Sequence, residues 1–352
     1  MKKRLFALAS ATLFICCSTT FAASAPVPNS RFAVSLTGLY LQPTASNLEY
    51  AVYTEPLPLP APNWSQKSVS TSYQPAFNLG LQYILSDQVD SFSLSWLHVD
   101  TNDSSSFSAN GTSVSSVAPP YYFGPLAQRL LGSSAKGKAN FNVEDVNLAY
   151  NHLFKLGRHL QLQPFIAIDT AYLKQYLEDN YQGTTSDSNN NTTGRKYSIT
   201  SYNTSKFTGI GPQLGLNARG LITAHFSIVA KLAVSVLVGT MKSKTTFDSY
   251  DSTAGNTTPT TTSLADQSET QVVPAFNSKL GLSYVIPFKS GSTLGLEAGY
   301  LFAIYVNGIN QVVPTALVPG AFNNGSIAIE TSAQTQSDLG LNVPYLSLSW
   351  VF

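Results

Sequence analysis

The sequence is short of charge, of cysteine and of long apolar runs, and each shortage closes off a class of protein. Its two cysteines, Cys16 and Cys17, sit close to the N-terminus, so the chain beyond them has no thiol for a disulfide framework or for thiolate chemistry. Charged residues make up 11% of the chain, well below the ~25% usual in soluble domains; Ser, Thr and Asn supply the polarity instead. The longest apolar run, residues 226–238, is broken by Lys231 and Ser235 and falls short of the ~20 residues that a membrane-spanning helix requires. There is no basic excess either. Without Lys2, Lys3 and Arg4, which belong to a leader described next, 17 basic residues face 19 acidic ones, a net of −2, and nucleic acid is an unsuitable partner. No nucleophile elbow, phosphate-binding glycine loop or dinucleotide fingerprint is found.

What is present starts with an address. Met1-Lys2-Lys3-Arg4 is basic, residues 5–17 are apolar, and Thr20-Phe21-Ala22 places small residues at the minus-three and minus-one positions of a cleavage site. Residues 1–22 therefore read as a cleavable signal peptide, with Ala25 as a second cleavage position, and residues 23–352 as one exported domain. A lipidated cysteine is the rival reading. It is weakened because Ile15 or Cys16, not a small residue, precedes the thiol.

Beyond the leader, ten segments alternate at period two: about residues 31–42, 73–85, 91–99, 141–153, 159–176, 206–218, 224–241, 272–286, 293–306 and 339–352. In the third, Phe92, Leu94 and Trp96 oppose Ser91, Ser93 and Ser95; in the ninth, Leu294, Leu296, Tyr300 and Phe302 oppose Gly295, Glu297 and Gly299. In the fourth the parity of the apolar residues changes, which suggests a bulge near Glu144. Pro164, Pro212 and Pro344 lie inside segments and are expected at bulge or rim positions. Short connections near residues 86–90, 155–158, 219–223 and 287–292 alternate with long ones at 43–72, 100–140, 177–205, 242–271 and 307–338.

This asymmetry predicts an all-β fold: a transmembrane antiparallel up-and-down β-barrel of about ten strands (eight to twelve), with short periplasmic turns and long extracellular loops. An even strand number puts both chain ends on the periplasmic side, which agrees with the pattern. The last strand closes the barrel against the first. Its alternate residues Leu348, Trp350 and Phe352 should face lipid in the periplasmic aromatic girdle and act as the assembly signal. On the opposite parity, Gln161, Gln163, Asp169, Gln213, Lys231, Lys279 and Glu297 are expected to point inward and line a pore, where polar walls and fixed charges set ion preference. The alternative is that the same groups pair with one another and plug the barrel, since ten strands lie nearer the filled eight-stranded limit than the open porins. Of the four histidines, only His98 stands out. Asp100 follows two residues later at the outer end of the third strand, a pair compatible with a rim hydrolase, although an incidental pairing is the plainer account. No histidine has metal-ligand spacing, and no cofactor is expected. Pro56-Leu57-Pro58-Leu59-Pro60-Ala61-Pro62 reads as a stiff exposed loop.

Four stretches carry a family resemblance: Thr37-Gly38-Leu39-Tyr40-Leu41-Gln42-Pro43-Thr44, Asp145-Val146-Asn147-Leu148-Ala149-Tyr150, Phe207-Thr208-Gly209-Ile210-Gly211-Pro212-Gln213-Leu214-Gly215 and Val236-Leu237-Val238-Gly239-Thr240. They resemble the Legionella major outer membrane protein family over essentially the whole mature chain. The resemblance implies a surface-exposed outer-membrane barrel, porin-like, passing ions or small polar solutes, with its namesake also a host-contact antigen. A mature chain without cysteine departs from the disulfide-linked assemblies of that namesake, so any homo-oligomer here is not disulfide-linked. The expected partners are outer-membrane lipid and lipopolysaccharide, the outer-membrane assembly machinery and a host surface. Porin-like passage is the leading expectation, a plugged barrel acting as adhesin or antigen through its loops the alternative, and a rim hydrolase using His98 and Asp100 the remote one.

Overall fold

The computed structural model describes residues 31–54, 65–110, 116–120, 129–186, 192–251, 260–265, 268–317 and 329–352. The signal peptide and the proline-rich residues 56–62 lie outside the described residues. The strands are β1 (Arg31–Ala45), β2 (Glu49–Thr54), β3 (Ser65–Ser68), β4 (Gln74–Ile84), β5 (Asp90–Ser108), β6 (Ser116–Ala118), β7 (Arg129–His152) and β8 (Phe154–Leu156). They continue with β9 (Leu160–Ser186), β10 (Thr192–Leu221), β11 (Phe226–Asp251), β12 (Thr260–Ala265), β13 (Glu269–Pro287), β14 (Thr293–Leu317) and β15 (Ile329–Val351).

Ten strands close a ring of antiparallel neighbours in the order β1, β4, β5, β7, β9, β10, β11, β13, β14, β15 and back to β1. Each strand of the ring pairs with its predecessor in the chain, as in an up-and-down meander, and β1 closes on β15 with Ala33 opposite Val351 and Leu36 opposite Leu348. Outside the ring, β8 pairs with β9 and β12 with β11, while β3, β2 and β6 form a separate small sheet.

The pleat explains why the ring stands in lipid. Along β1 the outward Phe32, Leu36 and Tyr40 are exposed, whereas the intervening Ala33, Ser35, Thr37, Leu39 and Leu41 are buried. The same parity leaves Ile166, Ile168, Ile210, Leu214, Leu232, Val234, Leu280 and Leu346 exposed on their strands, a continuous apolar band that only a bilayer covers. Aromatic pairs mark its periplasmic edge: Phe32 with Tyr83 (ring centroids 5.0 Å apart), Phe92 with Tyr150 (5.5 Å) and Phe288 with Trp350 (5.2 Å). Tyr40 stacked on Tyr73 (5.3 Å) and Phe77 edge-on to Trp96 (5.5 Å) lie on the same outward face nearer the other edge.

The strands run much further than the alternation suggested. β10 has 30 residues. At ~3.3 Å per residue and a tilt of ~40° that is about 75 Å of height, three times the ~25 Å apolar band of such barrels. Most of what the sequence pattern assigned to long loops at 100–140, 177–205 and 242–271 is therefore wall standing above the membrane, residues 129–140 of β7 and 242–251 of β11 included. In this wall the outward face meets water, so the apolar residues change sides while the pleat does not. On β7, Val146, Leu148 and Tyr150 point out to lipid, but above them Ala135, Ala139, Phe141 and Val143 point in and are buried. This exchange corrects the expected bulge at Glu144: β7 keeps its register with β5 and β9 through that residue. The three prolines are not bulges either. Pro164 stays in register opposite Leu216, and Pro212 and Pro344 interrupt one ladder each without shifting it.

A real irregularity lies in β14, between Tyr305 and Ile309, where Asn307 has φ 55°. β13 pairs with β14 only as far as Tyr305. Beyond it β14 turns into the barrel with β15 alongside. There the Asn310 N–H donates to Ser205 Oγ of β10 (2.9 Å) and Thr245 Oγ1 of β11 donates to the Val312 carbonyl (2.6 Å).

Candidate functional site

The interior falls into layers. Lowest, from the first residues above the periplasmic turns upward, is a polar cavity of about 200 Å³. Gln161 and Gln163 of β9, Gln213 and Arg219 of β10, Lys231 of β11, Lys279 of β13 and Glu297 of β14 line it, and so do Asn147, Asn151 and Asp145 of β7. Asp169 is fully buried outside the lining, where it accepts a hydrogen bond from Gln213 Nε2 (3.0 Å). Gln213 Oε1 in turn accepts from Asn147 Nδ2 (2.9 Å). The barrel thus brings six of the seven residues picked on parity into one cavity and sets the seventh directly behind it.

The fixed charges are unevenly paired. Lys279 Nζ lies 2.5 Å from Glu297 Oε1, with side-chain exposures of 18% and 4%. Tyr345 of the closing strand donates its hydroxyl to the same carboxylate oxygen (2.8 Å), and its ring lies under Lys279 Nζ, 4.8 Å from the centroid. Gly281 makes this possible: a Cβ there would collide with the Tyr345 hydroxyl. Lys231 stands directly opposite Lys279 across the β11–β13 ladder. It has no ion pair or hydrogen bond among the described residues, and its Nζ sits over the Phe165 ring at 5.1 Å. Arg219 donates from Nε to Ser227 Oγ (2.8 Å) and from a guanidinium nitrogen to Ser283 Oγ (3.3 Å). Gln161 Oε1 and Gln163 Nε2, buried in the wall, find no hydrogen-bond partner among the described residues.

Above the cavity a collar of buried apolar side chains crosses the interior. Leu41, Val99, Val143, Leu173, Phe207, Leu237, Val273, Ala303, Leu341 and Val343 come from nine strands of the ring and are 0–2% exposed, and Ala76 of β4 packs against them. Tyr305 belongs to this collar and drops its hydroxyl to Asp145 Oδ2 (2.6 Å), tying the collar to the cavity roof. A thin polar layer follows, in which the amides of Asn47 and Gln175 exchange hydrogen bonds (2.7 and 2.9 Å) and Asn203 Nδ2 donates to Thr245 Oγ1 (2.7 Å). Over it lies a second apolar layer, where Tyr181, Tyr197, Ile199 and Phe247 of the wall join Leu48, Tyr50 and Val117 in one buried cluster; Tyr50 and Val117 come from the small sheet of β2, β3 and β6. Tyr181 donates its hydroxyl to the Tyr50 carbonyl.

The collar escaped the sequence pattern because its residues share the inward parity of the polar cavity residues. The signal was the shift of apolar residues to that parity, as at Phe141 and Val143, together with the Asn307-Gly308 turn dipeptide directly after the ninth segment. The ion-pair partner of His98 is Glu144, not Asp100. His98 is on the outward parity, its Nδ1 2.6 Å from Glu144 Oε1, and Glu144 Oε2 accepts from Trp96 Nε1 (2.7 Å). Packed against Phe77 (5.2 Å), this is a cluster on the outward face of the wall. Among the described residues no three His, Cys, Asp or Glu side chains are grouped to hold a metal ion.

A family model described as Legionella pneumophila major outer membrane protein precursor matches residues 24–352. No curated protein sequence matches significantly. Among solved structures, the outer membrane protease OmpT of Escherichia coli is similar at 11% identity, with a TM-score of 0.39, over 94% of this chain and 99% of that one. The toluene transporter TodX of Pseudomonas putida is similar at 8% identity and a TM-score of 0.28, over 93% and 90% of the two chains. A FadL homologue of Pseudomonas aeruginosa is similar at 9% identity and 0.26, over 92% and 90%.

Proposed function

The chain belongs to the Legionella pneumophila major outer membrane protein family and is a β-barrel of the outer membrane, and from that premise we propose that it is a sealed barrel whose work is done at the cell surface. The observation that carries the reading is the collar: side chains of nine strands, 0–2% exposed, meet across the lumen. Ion passage needs a continuous polar path, and an apolar constriction expels water even where it is wider than an ion. Ten strands leave little room to begin with. The wall above the membrane then works as a tall, rigid mount for the outermost residues, suited to adhesion or antigenic display. No catalytic role is assigned, because His98 faces outward and is held by Glu144.

Porin-like passage is the second reading, favoured by the charged cavity beneath the collar. It would require the outer half of β14, which bends inward at Asn307, to withdraw from β10 and β11. Refolded protein in planar bilayers distinguishes the two. A sealed barrel gives no stepwise conductance; discrete steps that change when Lys231 or Glu297 is neutralised would overturn that reading in favour of passage.

A further inference from the structure

On the outside of the wall, just above the lipid-facing band, three lysines stand abreast. Lys206 of β10 is the register partner of Lys174 on β9 and of Lys242 on β11. All three are on the outward parity, since their chain neighbours Leu173, Phe207 and Met241 are buried inside. Lys206 and Lys242 are exposed and Lys174 is half-exposed. Lys244, exposed one outward step higher on β11 and opposite Thr204, extends the patch. Like charges directly opposite across a ladder destabilise a sheet. None of the four makes an ion pair or hydrogen bond among the described residues. Of the acidic residues on this outward face, Glu178 and Asp248 lie higher, with Lys138 of β7 opposite the first and Thr261 donating to the second. Glu144, one outward step lower on β7, is held by His98 and Trp96, and Asp100, level with the row, stands two strands away from Lys174.

We propose that this row is a binding site for the phosphate groups of the phosphorylated glycolipid that forms the outer leaflet. Two features support that occupant. Charge is the first, since adjacent unpaired ammonium groups match a phosphate, which accepts from several donors at once. Height is the second. Lys206 lies four residues above Ile210, whose exposed side chain belongs to the lipid-facing band, so the row stands about 10 Å above it at the rise and tilt of such strands. Ile210, Ile168 and Val238 form an apolar strip directly below the lysines. A molecule with acyl chains along that strip carries its headgroup phosphates at the level of the ammonium groups. The inference requires only that the barrel spans the outer membrane; it holds whether or not the lumen is sealed.

The test uses the refolded full barrel in detergent, titrated with diphosphoryl lipid A and read by native mass spectrometry. Heat-modifiable gel mobility confirms that each variant is folded. The triple variant Lys174→Gln, Lys206→Gln, Lys242→Gln should lose at least tenfold in lipid A binding. The charge-matched control Lys155→Gln, Arg158→Gln, Lys289→Gln, at the exposed periplasmic turns, should bind like the native protein. Dephosphorylated lipid A should bind native protein as weakly as diphosphoryl lipid A binds the triple variant. Should the triple variant not fold, Lys206→Gln alone should show a several-fold loss. Equal binding by native and lysine-row variants, an equal loss in the periplasmic control, or indifference to the lipid phosphates would each overturn the proposal. Displacement of lipid A by millimolar inorganic phosphate would overturn it in favour of a free-phosphate site.

Discussion

Replacing Glu297 by glutamine tests whether the lower cavity is held together by charge. Glutamine keeps the shape and still offers Tyr345 an acceptor, so only the negative charge is removed. What remains is Lys279, 18% exposed, facing Lys231 across the ladder with no other ion-pair partner among the described residues. Leaving one ion of a buried pair unpaired costs roughly 3–5 kcal/mol. The residual exposure of Lys279 places the expectation near the lower end, about 3 kcal/mol. Replacing both partners, Glu297→Leu with Lys279→Met, should instead come within about 1 kcal/mol of native, because a desolvated pair and a packed apolar pair are nearly equivalent. Adding Lys231→Met to Glu297→Gln should recover part of the loss by removing the facing cation. The assay is urea unfolding of the barrel in lipid vesicles, followed by tryptophan fluorescence and assembled as a double-mutant cycle. A Glu297→Gln loss below about 0.5 kcal/mol, or a double variant as unstable as the single, would refute the charge-pair reasoning.

Two further outcomes follow from the wall and the seam. Asp179 is inward-facing, 7% exposed and above the membrane; burial, with Glu178 beside it, holds its carboxyl well above the usual range. A raised pKa in the folded state favours the protonated form, so its contribution to stability is full below the unfolded value and is lost as pH rises through the folded one. Asp179→Asn should therefore raise the urea midpoint at pH 8 and leave it unchanged near pH 3; an equal gain at both values would contradict this. Deleting Phe352 removes two backbone hydrogen bonds with Phe32 (2.9 and 3.1 Å) and a stacked ring 6.3 Å away, at the start of the β1–β15 seam. The yield of heat-modifiable barrel in cells should fall sharply, whereas the stability of whatever assembles changes little.

The parts of the molecule that lipid shapes were legible in the sequence. Alternation at Phe92, Leu94 and Trp96, or at Leu346, Leu348 and Trp350, survives because one face of those strands has a single apolar solvent. Phe352 and Trp350 are exposed on the outward face, 60% and 39%, as the closing alternation implied. The wall above the membrane was not legible. There the outward face is wet, the inward face is a mixed core, and β5 reads as an unpatterned run of Asp, Thr, Asn and Ser from Asp100 to Ser106 although it is continuously paired with β7. Ser72 donates from both its amide and its hydroxyl to buried Asp103, a contact between the β3–β4 connection and β5 with no signature in spacing. The inward-facing set, Gln161 to Glu297, was readable from parity alone. That Lys279 would take Glu297 while Lys231 took the Phe165 ring depends on register between β11, β13 and β14, which parity does not fix.

The collar also bears on the seam where the chain closes on itself. β1 and β15 meet through a ladder of backbone bonds, but Leu39, Leu41, Leu339, Leu341 and Val343 hang from the same two strands into the buried apolar cluster. Parting the strands sideways would draw all five out of an apolar core, at roughly 1.5–3 kcal/mol each, or about 8–15 kcal/mol beyond the ladder itself. A barrel joined by its edges alone can breathe at the join and shed contents into the bilayer. This one is also held from within, so that parting β1 from β15 sideways is far costlier than breaking the ladder alone.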